Sequence, residues 1–199
     1  MSLHENDHEN DHEDGLRVRL VRAGVELVNA EGAQALSLRE IARRAGVSHG
    51  APRRYFPTRL DLLSAIARQG FAELAVRVAD EDPEGASARE RIGALARVYL
   101  DYADTRRGMY ELMFRHDLLE SGRLGLRETS LPLFAHLTGL VARVRPEAEP
   151  AVVAGALWAN LHGIAQLWHW GSLRLATGGD DPGPLLAAAL DAHLGIAAL

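Results

Sequence analysis

Between Ser37 and Leu63 the chain reads SLREIARRAGVSHGAPRRYFPTRLDLL, and the local chemistry of this stretch leaves little choice of structure. Ser37 followed three residues later by Glu40 is a capping box, which satisfies two orphan N–H groups at a helix start. Leu38, Ile41, Ala42 and Ala45 recur at i, i+3, i+4 and i+7, so the helix has one buried face. Gly46 supplies the left-handed residue that stops it, and Val47 turns into the corner. Ser48 is placed to cap a second short helix running through Tyr55, with Pro52 in or just past its first turn, where a missing N–H costs least. Two short helices about a glycine turn predict a helix-turn-helix, whose second member enters the DNA major groove. That member carries His49, Gly50, Arg53, Arg54 and Tyr55.

The letters Gly46-Val47-Ser48-His49-Gly50 also match the G-x-S-x-G elbow of hydrolases. That elbow needs a strand before the serine, to push its hydroxyl out of a sharp turn. Here the preceding residues have helical spacing, with three arginines and a glutamate among them, so the match is an accident of turn chemistry.

Residues 16–63 resemble the DNA-binding domain of the TetR family of repressors. The resemblance rests on a first helix ending at Gly32, on Leu38-Arg39-Glu40-Ile41-Ala42, Ala45-Gly46-Val47-Ser48 and Gly50-Ala51, and on Tyr55-Phe56-Pro57 followed by Arg59, Leu60 and Leu63. It covers about a quarter of the chain. One departure is Arg53, where the family often has an aromatic residue, so a guanidinium would make the usual phosphate contact there. The resemblance implies DNA contacts from Arg17, Ser37, Ser48, His49, Gly50, Arg53, Arg54, Tyr55, Thr58 and Arg59. Of these, Arg17, Arg59 and Arg53 are the phosphate candidates, whereas Arg54, His49 and Tyr55 are placed to choose bases.

Charge agrees with this reading. The net charge of −5 divides into six acids and no arginine or lysine over residues 1–14, +6 over residues 15–60 and −5 over residues 61–199. A basic segment on an acidic protein is the footprint expected of a DNA reader, with a solvated basic face as the plainer explanation. All 22 basic residues are arginine, so cationic phosphate contacts are guanidinium ones. The absence of cysteine excludes disulfides, thiol catalysis and thiolate zinc sites. No long uncharged apolar run is present, so no membrane span is expected, and the chain is expected in the cytoplasm.

Residues 1–14 are three near-copies of His-Glu-Asn-Asp and should be a disordered acidic tail. If helical, His4, His8 and His12 would share one face and could hold a transition metal, but a solvated tail explains the same composition. Leu16–Glu31 reads as the first helix, and Arg17 and Arg19 near its start can reach phosphates. Thr58 and Asp61 open a long helix running to Asp80. Ser87 with Glu90 caps the next, Met109 begins a short apolar segment, and Gly122–Arg145 reads as a long helix that Pro132 should kink or break. From Ala151 to Leu175 there is almost no polar face, so this helix should be buried nearly all round. Leu185–Leu199 reads as the last helix.

The pattern Trp158-x-x-Leu161-His162-Gly163 resembles one subgroup of TetR C-terminal domains, a shorter and less specific likeness. In the family, the last two long helices pair with their copies across a two-fold axis as a four-helix bundle, which places Trp168, Trp170, Leu190 and Leu194 at a dimer interface. An effector pocket is expected from Tyr99, Tyr102, Met113, Phe114, His116, Phe134, Trp158, His162 and Gln166, a few polar groups in an apolar lining. The plainer explanation is a core or dimer interface, with the histidines and Gln166 as satisfied polar groups and the aromatics as core. No carboxylate pair or Ser/His/Asp set stands out as catalytic, and no third ligand completes a histidine metal site, so neither cofactor nor metal is expected.

The expectation is an all-α homodimer: a three-helix helix-turn-helix reader at residues 15–60 and a ligand-binding and dimerisation domain at residues 61–199. Its function would be to bind a palindromic operator and release it when a small, mostly apolar effector binds. A constitutive DNA-binding dimer without effector, or an enzyme using the C-terminal pocket, are the alternatives.

Overall fold

The computed structural model describes residues 3–115, 117–118 and 125–196, with side chains from residue 15 onward. Among the described residues there is no strand. The helices are α1 (Leu3–Glu31), α2 (Leu38–Arg44), α3 (Ala51–Tyr55), α4 (Arg59–Asp80), α5 (Ala88–Thr105), α6 (Arg107–Met113), α7 (Leu126–Val144), α8 (Pro150–His169), α9 (Ser172–Thr177) and α10 (Gly183–Leu194).

Two compact units emerge: residues up to Phe71 together with Arg106–Arg127, and Ala72–Thr105 together with Glu128–Leu199. These compact units do not coincide with the division by function expected after residue 60. The first unit takes the opening of α4 and also recovers α6 from far along the chain, because Met109, Leu112 and Met113 are apolar residues with no exposure at all. Leu20, Leu27 and Val28 of α1, Ile41 and Ala42 of α2, Phe56, and Leu62, Leu63 and Ile66 of α4 are buried in the same unit. Each such Leu or Ile contributes about 1.5–3 kcal/mol by leaving water. Gly70 makes room for α6, since a Cβ there would lie 2.6 Å from Met109 Cγ and Met113 Sδ.

In the second unit α5 packs on α8 and α10, and α8 packs on α9 and α10. Ile92, Ala96, Tyr99 and Tyr102 of α5 and Leu157, Leu161 and Ile164 of α8 are buried. At the start of α5, Ser87 and Glu90 make the full capping box, with Ser87 N–H donating to Glu90 Oε2 at 2.8 Å and Glu90 N–H to Ser87 Oγ at 3.3 Å.

Several expectations change. The backbone of α1 is helical from Leu3 rather than Leu16, so the segment expected to be disordered is continuous with α1; no glycine or proline breaks the sequence between Leu3 and Asp14. The side chains of His4, His8 and His12 lie outside the described ones. Pro132 does not break α7, because it is exposed and water can take the carbonyl its missing N–H leaves over. The apolar run from Ala151 is two helices, not one, since Gly171 adopts the left-handed conformation (φ 77) and ends α8. Nor is α8 buried all round: Val152 is 67% exposed and Trp170, just past its end, 66%. The last helix stops at Leu194, where Gly195 has a positive φ.

Candidate functional site

The reader is built on α2. Glu40 N–H donates to Ser37 Oγ at 3.2 Å, which is half of the capping box. The reciprocal half is missing because the Glu40 carboxylate is taken by Arg43 Nε at 2.8 Å and Arg44 Nε at 2.9 Å. Those two guanidiniums hold the Glu40 carboxyl down to about 2. Arg44 also reaches Glu31 on α1. At the far end, Arg19, itself exposed, donates from Nη2 to the Ala45 carbonyl at 2.7 Å. Arg59 Nη2 donates to the Leu36 carbonyl at 3.0 Å.

The second helix of the motif starts at Ala51, later than expected. Ser48 does not cap it with its side chain; Gly50 is the N-cap, and Pro52 sits in the first turn as expected. The Ser48 carbonyl instead accepts Ala51 N–H at 3.0 Å. Thr58 and Asp61 bond reciprocally, Thr58 N–H donating to Asp61 Oδ2 at 2.9 Å and Asp61 N–H to Thr58 Oγ1 at 3.2 Å, which caps the start of α4. Arg17 lies over the Phe56 ring at 5.7 Å.

Among the described residues, Arg39, Arg53 and Arg54 are exposed and make no hydrogen bond or ion pair. His49 is exposed beside them and Tyr55 is half-buried. Of the nine arginines in residues 15–60, five are thus occupied by carboxylates or carbonyls of the protein: Arg19, Arg22, Arg43, Arg44 and Arg59. Arg39 was not among the expected contacts. Its position one past Leu38, off the 38–41–42–45 stripe, was the available signal.

The expected effector residues divide between the two units. Met113 and Phe114 belong to the first, where Phe114 meets Phe71 edge-on at 5.7 Å and Tyr110 at 5.0 Å. His116 lies outside the described residues. Tyr102 is fully buried beneath Arg77, whose guanidinium stands 5.1 Å above its ring. Gln166 is half-buried.

Four do come together. Trp158 Nε1 donates to Tyr99 Oη at 3.3 Å, Tyr99 Oη is 2.9 Å from His162 Nδ1, and the Phe134 ring is 6.1 Å from that of Trp158. Burial pushes His162 below its ordinary value, which favours the neutral imidazole. Two other polar side chains of this half are placed differently: Asn160 meets His193 at 3.3 Å, and His136 stands 4.0 Å from Asp82.

A cleft of ≈ 630 Å³ in the same unit contains none of the expected effector residues. Its lining includes Arg97, Asp101, Ile164, Trp168 and Leu190. Trp168 and Leu190 therefore face the protomer's own α5 side, and Leu194 is buried. Of the four residues expected at a dimer interface only Trp170 is well exposed. A second, shallower groove runs across α8 and α10, lined by Ala159, Gly163, Leu167, Leu185, Ala188 and Ala192.

Residues 92–193 match the family described as tetracyclin repressor-like, C-terminal domain, and residues 20–66 match that of bacterial regulatory proteins, tetR family. The HTH-type transcriptional regulator BetI of Rhizobium meliloti (strain 1021) is 35% identical over 82 residues, 41% of this chain and 40% of that protein. The match thus spans less than half of that relative's length. A solved structure described as a protein with unknown function from Rhodococcus sp. RHA1 is similar with a TM-score of 0.76 at 29% identity, covering 90% of this chain and 93% of that one. The multidrug binding protein EbrR complexed with ethidium is similar with a TM-score of 0.61 at 27% identity, covering 91% and 99%.

Proposed function

The chain belongs to the TetR family of bacterial regulatory proteins, and from that premise we propose that it is a homodimeric transcriptional repressor whose grip on a palindromic operator is relieved by a small, mostly apolar molecule. The observation that carries the reading is the outward set Arg39, Arg53 and Arg54 around α2 and α3, with His49 and Tyr55 beside it. Residues 15–60 act as the reader, residues 61–199 bind the effector and dimerise, and residues 1–14 form a tail outside both. BetI is named as a transcriptional regulator, which supports a regulatory role over a catalytic one. The site of action is the cytoplasm.

Arg17, Arg39 and Arg53 approach phosphates, and Arg59 has N–H groups left beyond the one given to Leu36. Arg54, His49 and Tyr55 choose bases. Ser37 and Thr58, whose hydroxyls accept a helix N–H and still have their own O–H to give, donate that proton to phosphate, whereas Ser48 and Gly50 approach the groove from the turn. With three or four phosphates per protomer, log K against log salt should fall with a slope of about −5 to −7. Arg39→Ala should weaken all sequences alike and flatten the slope by about 2 per dimer, whereas Arg54→Ala should relax preference at one position per half-site. A binding titration on a selected and a scrambled duplex across salt decides this; equal losses for both variants on both duplexes would sink the assignment.

Tyr99, Phe134, Trp158 and His162 form the effector site, with the Tyr99–His162 pair set against the aromatic rings of Phe134 and Trp158. EbrR, a multidrug binding protein seen with ethidium, supports an aromatic-accepting pocket in this fold. Because α4 supplies residues to both units, it is the element through which a ligand is read by the reader. Such a coupling is typically about 1–3 kcal/mol and must be reciprocal. Titrating a candidate ligand by tryptophan fluorescence, with and without saturating operator, should show DNA weakening the ligand by the factor the ligand weakens DNA. A ligand that displaces DNA with unchanged affinity of its own would be competing at the reader, and the coupling through α4 would be wrong.

A further inference from the structure

Three carbonyls near the end of α2 accept from the turn that follows: Ile41 from Ala45 N–H at 2.9 Å, Ala42 from Val47 N–H at 3.0 Å and Arg43 from Gly46 N–H at 3.2 Å. These bonds close the helix around Gly46, whose φ is 66. The Ala45 carbonyl lies just past them, and Arg19 on α1 donates to it. A guanidinium at that place also meets the negative pole of the helix.

The turn from Ala45 to Gly50 is the segment that aims α3. That helix has five residues, under two turns, and cannot hold a direction by its own hydrogen bonding. Among the described residues, no other side chain donates to the backbone of residues 45–50. The turn is pinned to α1 at one polar point.

We propose that Arg19 is a positioning residue for DNA reading: it touches no DNA, and by tying the Ala45 carbonyl to α1 it sets the direction in which α3 presents Arg53, Arg54 and Tyr55. This rests on the DNA-binding reading above. It differs from the plain expectation for an arginine of a basic reader, which is a phosphate contact. The two roles separate in the salt dependence, because a residue that neutralises no phosphate leaves the slope where it was.

The test uses the full chain and a duplex that the wild-type protein itself enriches from a random pool, beside a scrambled duplex of equal length. Arg19→Met keeps the aliphatic stem and removes the donors. It should bind the enriched duplex about tenfold more weakly, as expected for losing a charged hydrogen bond, and the scrambled one less than about twofold more weakly, at an unchanged slope. Arg19→Lys, whose ammonium can reach the same carbonyl, should recover part of the selectivity. Arg39→Ala is the comparator that should flatten the slope.

Equal losses on both duplexes with a slope flattened by about 2 would make Arg19 a phosphate contact and overturn the proposal. Equal losses at an unchanged slope, with a smaller folded fraction by circular dichroism, would reduce it to a fold-holding residue and also overturn it. Should Arg19→Met not fold, Arg19→Gln decides instead, since it keeps an N–H donor without charge: retained selectivity supports the tether, and loss on both duplexes with a flatter slope refutes it. A wild-type protein that enriches no sequence would overturn the DNA-binding reading itself, and the role built on it.

Discussion

Replacing Gly108 by alanine should destabilise the protein by about 2–3 kcal/mol, and lower its melting temperature by about 4–12 °C. A Cβ at this position would lie 2.6 Å from the Val28 carbonyl oxygen and 3.0 Å from Gly32 Cα. Both are backbone atoms at the end of α1, where Gly32 N–H already bonds Val28 O at 2.9 Å and the chain turns through a positive φ. A side chain in the way can rotate aside; a helix end cannot, so α6 would have to lift off α1. Gly93→Ala is the control. Its Cβ would meet Arg97 Nη1 at 3.5 Å and Leu190 Cδ1 at 3.8 Å, ordinary contacts, and alanine is the better helix former. Thermal melts followed by circular dichroism should show the first variant falling and the second unchanged or rising. A Gly108→Ala protein that melts with the wild type would mean that α6 is not seated on α1.

Gly163→Arg should abolish dimerisation and with it most operator affinity, while leaving the protomer folded. A Cβ at Gly163 finds no heavy atom within 4 Å, so the protomer has room for the new side chain. The groove it would enter is lined by Ala159, Leu167, Leu185, Ala188 and Ala192. In the proposed dimer, small residues of this kind would let two copies of α8 and α10 approach closely, and an unpaired charge buried between them would cost several kcal/mol. The dimer dissociation constant should rise at least about 100-fold, since each 1.4 kcal/mol is a factor of ten. Operator binding should fall comparably, because each protomer then holds only one half-site. Sedimentation at micromolar concentration reads the assembly directly. A Gly163→Arg protein that remains dimeric would move the interface elsewhere.

How much of this was legible in the sequence depends on the range of the interaction that decides it. Thr58 with Asp61 and Ser87 with Glu90 are local chemistry, and both pairs cap their helices as their spacing implies. Ser37 with Glu40 has the same spacing and delivers one bond only, because two arginines on the next turn outcompete a backbone N–H for the carboxylate. The sequence showed where the reader's charge is, but not which way each guanidinium points: Arg19 bonds the Ala45 carbonyl, whereas Arg39 is exposed without a partner among the described residues. In α8 the difficulty was phase. When every face is apolar, periodicity cannot say which face meets the protomer, and Trp168 and Trp170 came out on opposite sides of that question. Gly171 between Trp170 and Ser172 was the neglected signal for the end of the helix. Met113 and Phe114 follow α5 closely in sequence but pack with the first unit, a long-range choice that no local pattern encodes.

The return of α6 into the first unit bears on how such regulators can be recombined. A chimera spliced at residue 60, pairing this reader with another sensor, would carry over α1 without the segment that Gly108 seats against Val28 and Gly32. The graft would leave the flank of α1 wet, or force it onto whatever helix the foreign sensor happened to offer. Swapping partners therefore requires three crossovers, one within α4 near Phe71 and one on each side of Arg106–Arg127, so that the reader is inherited as a discontinuous block.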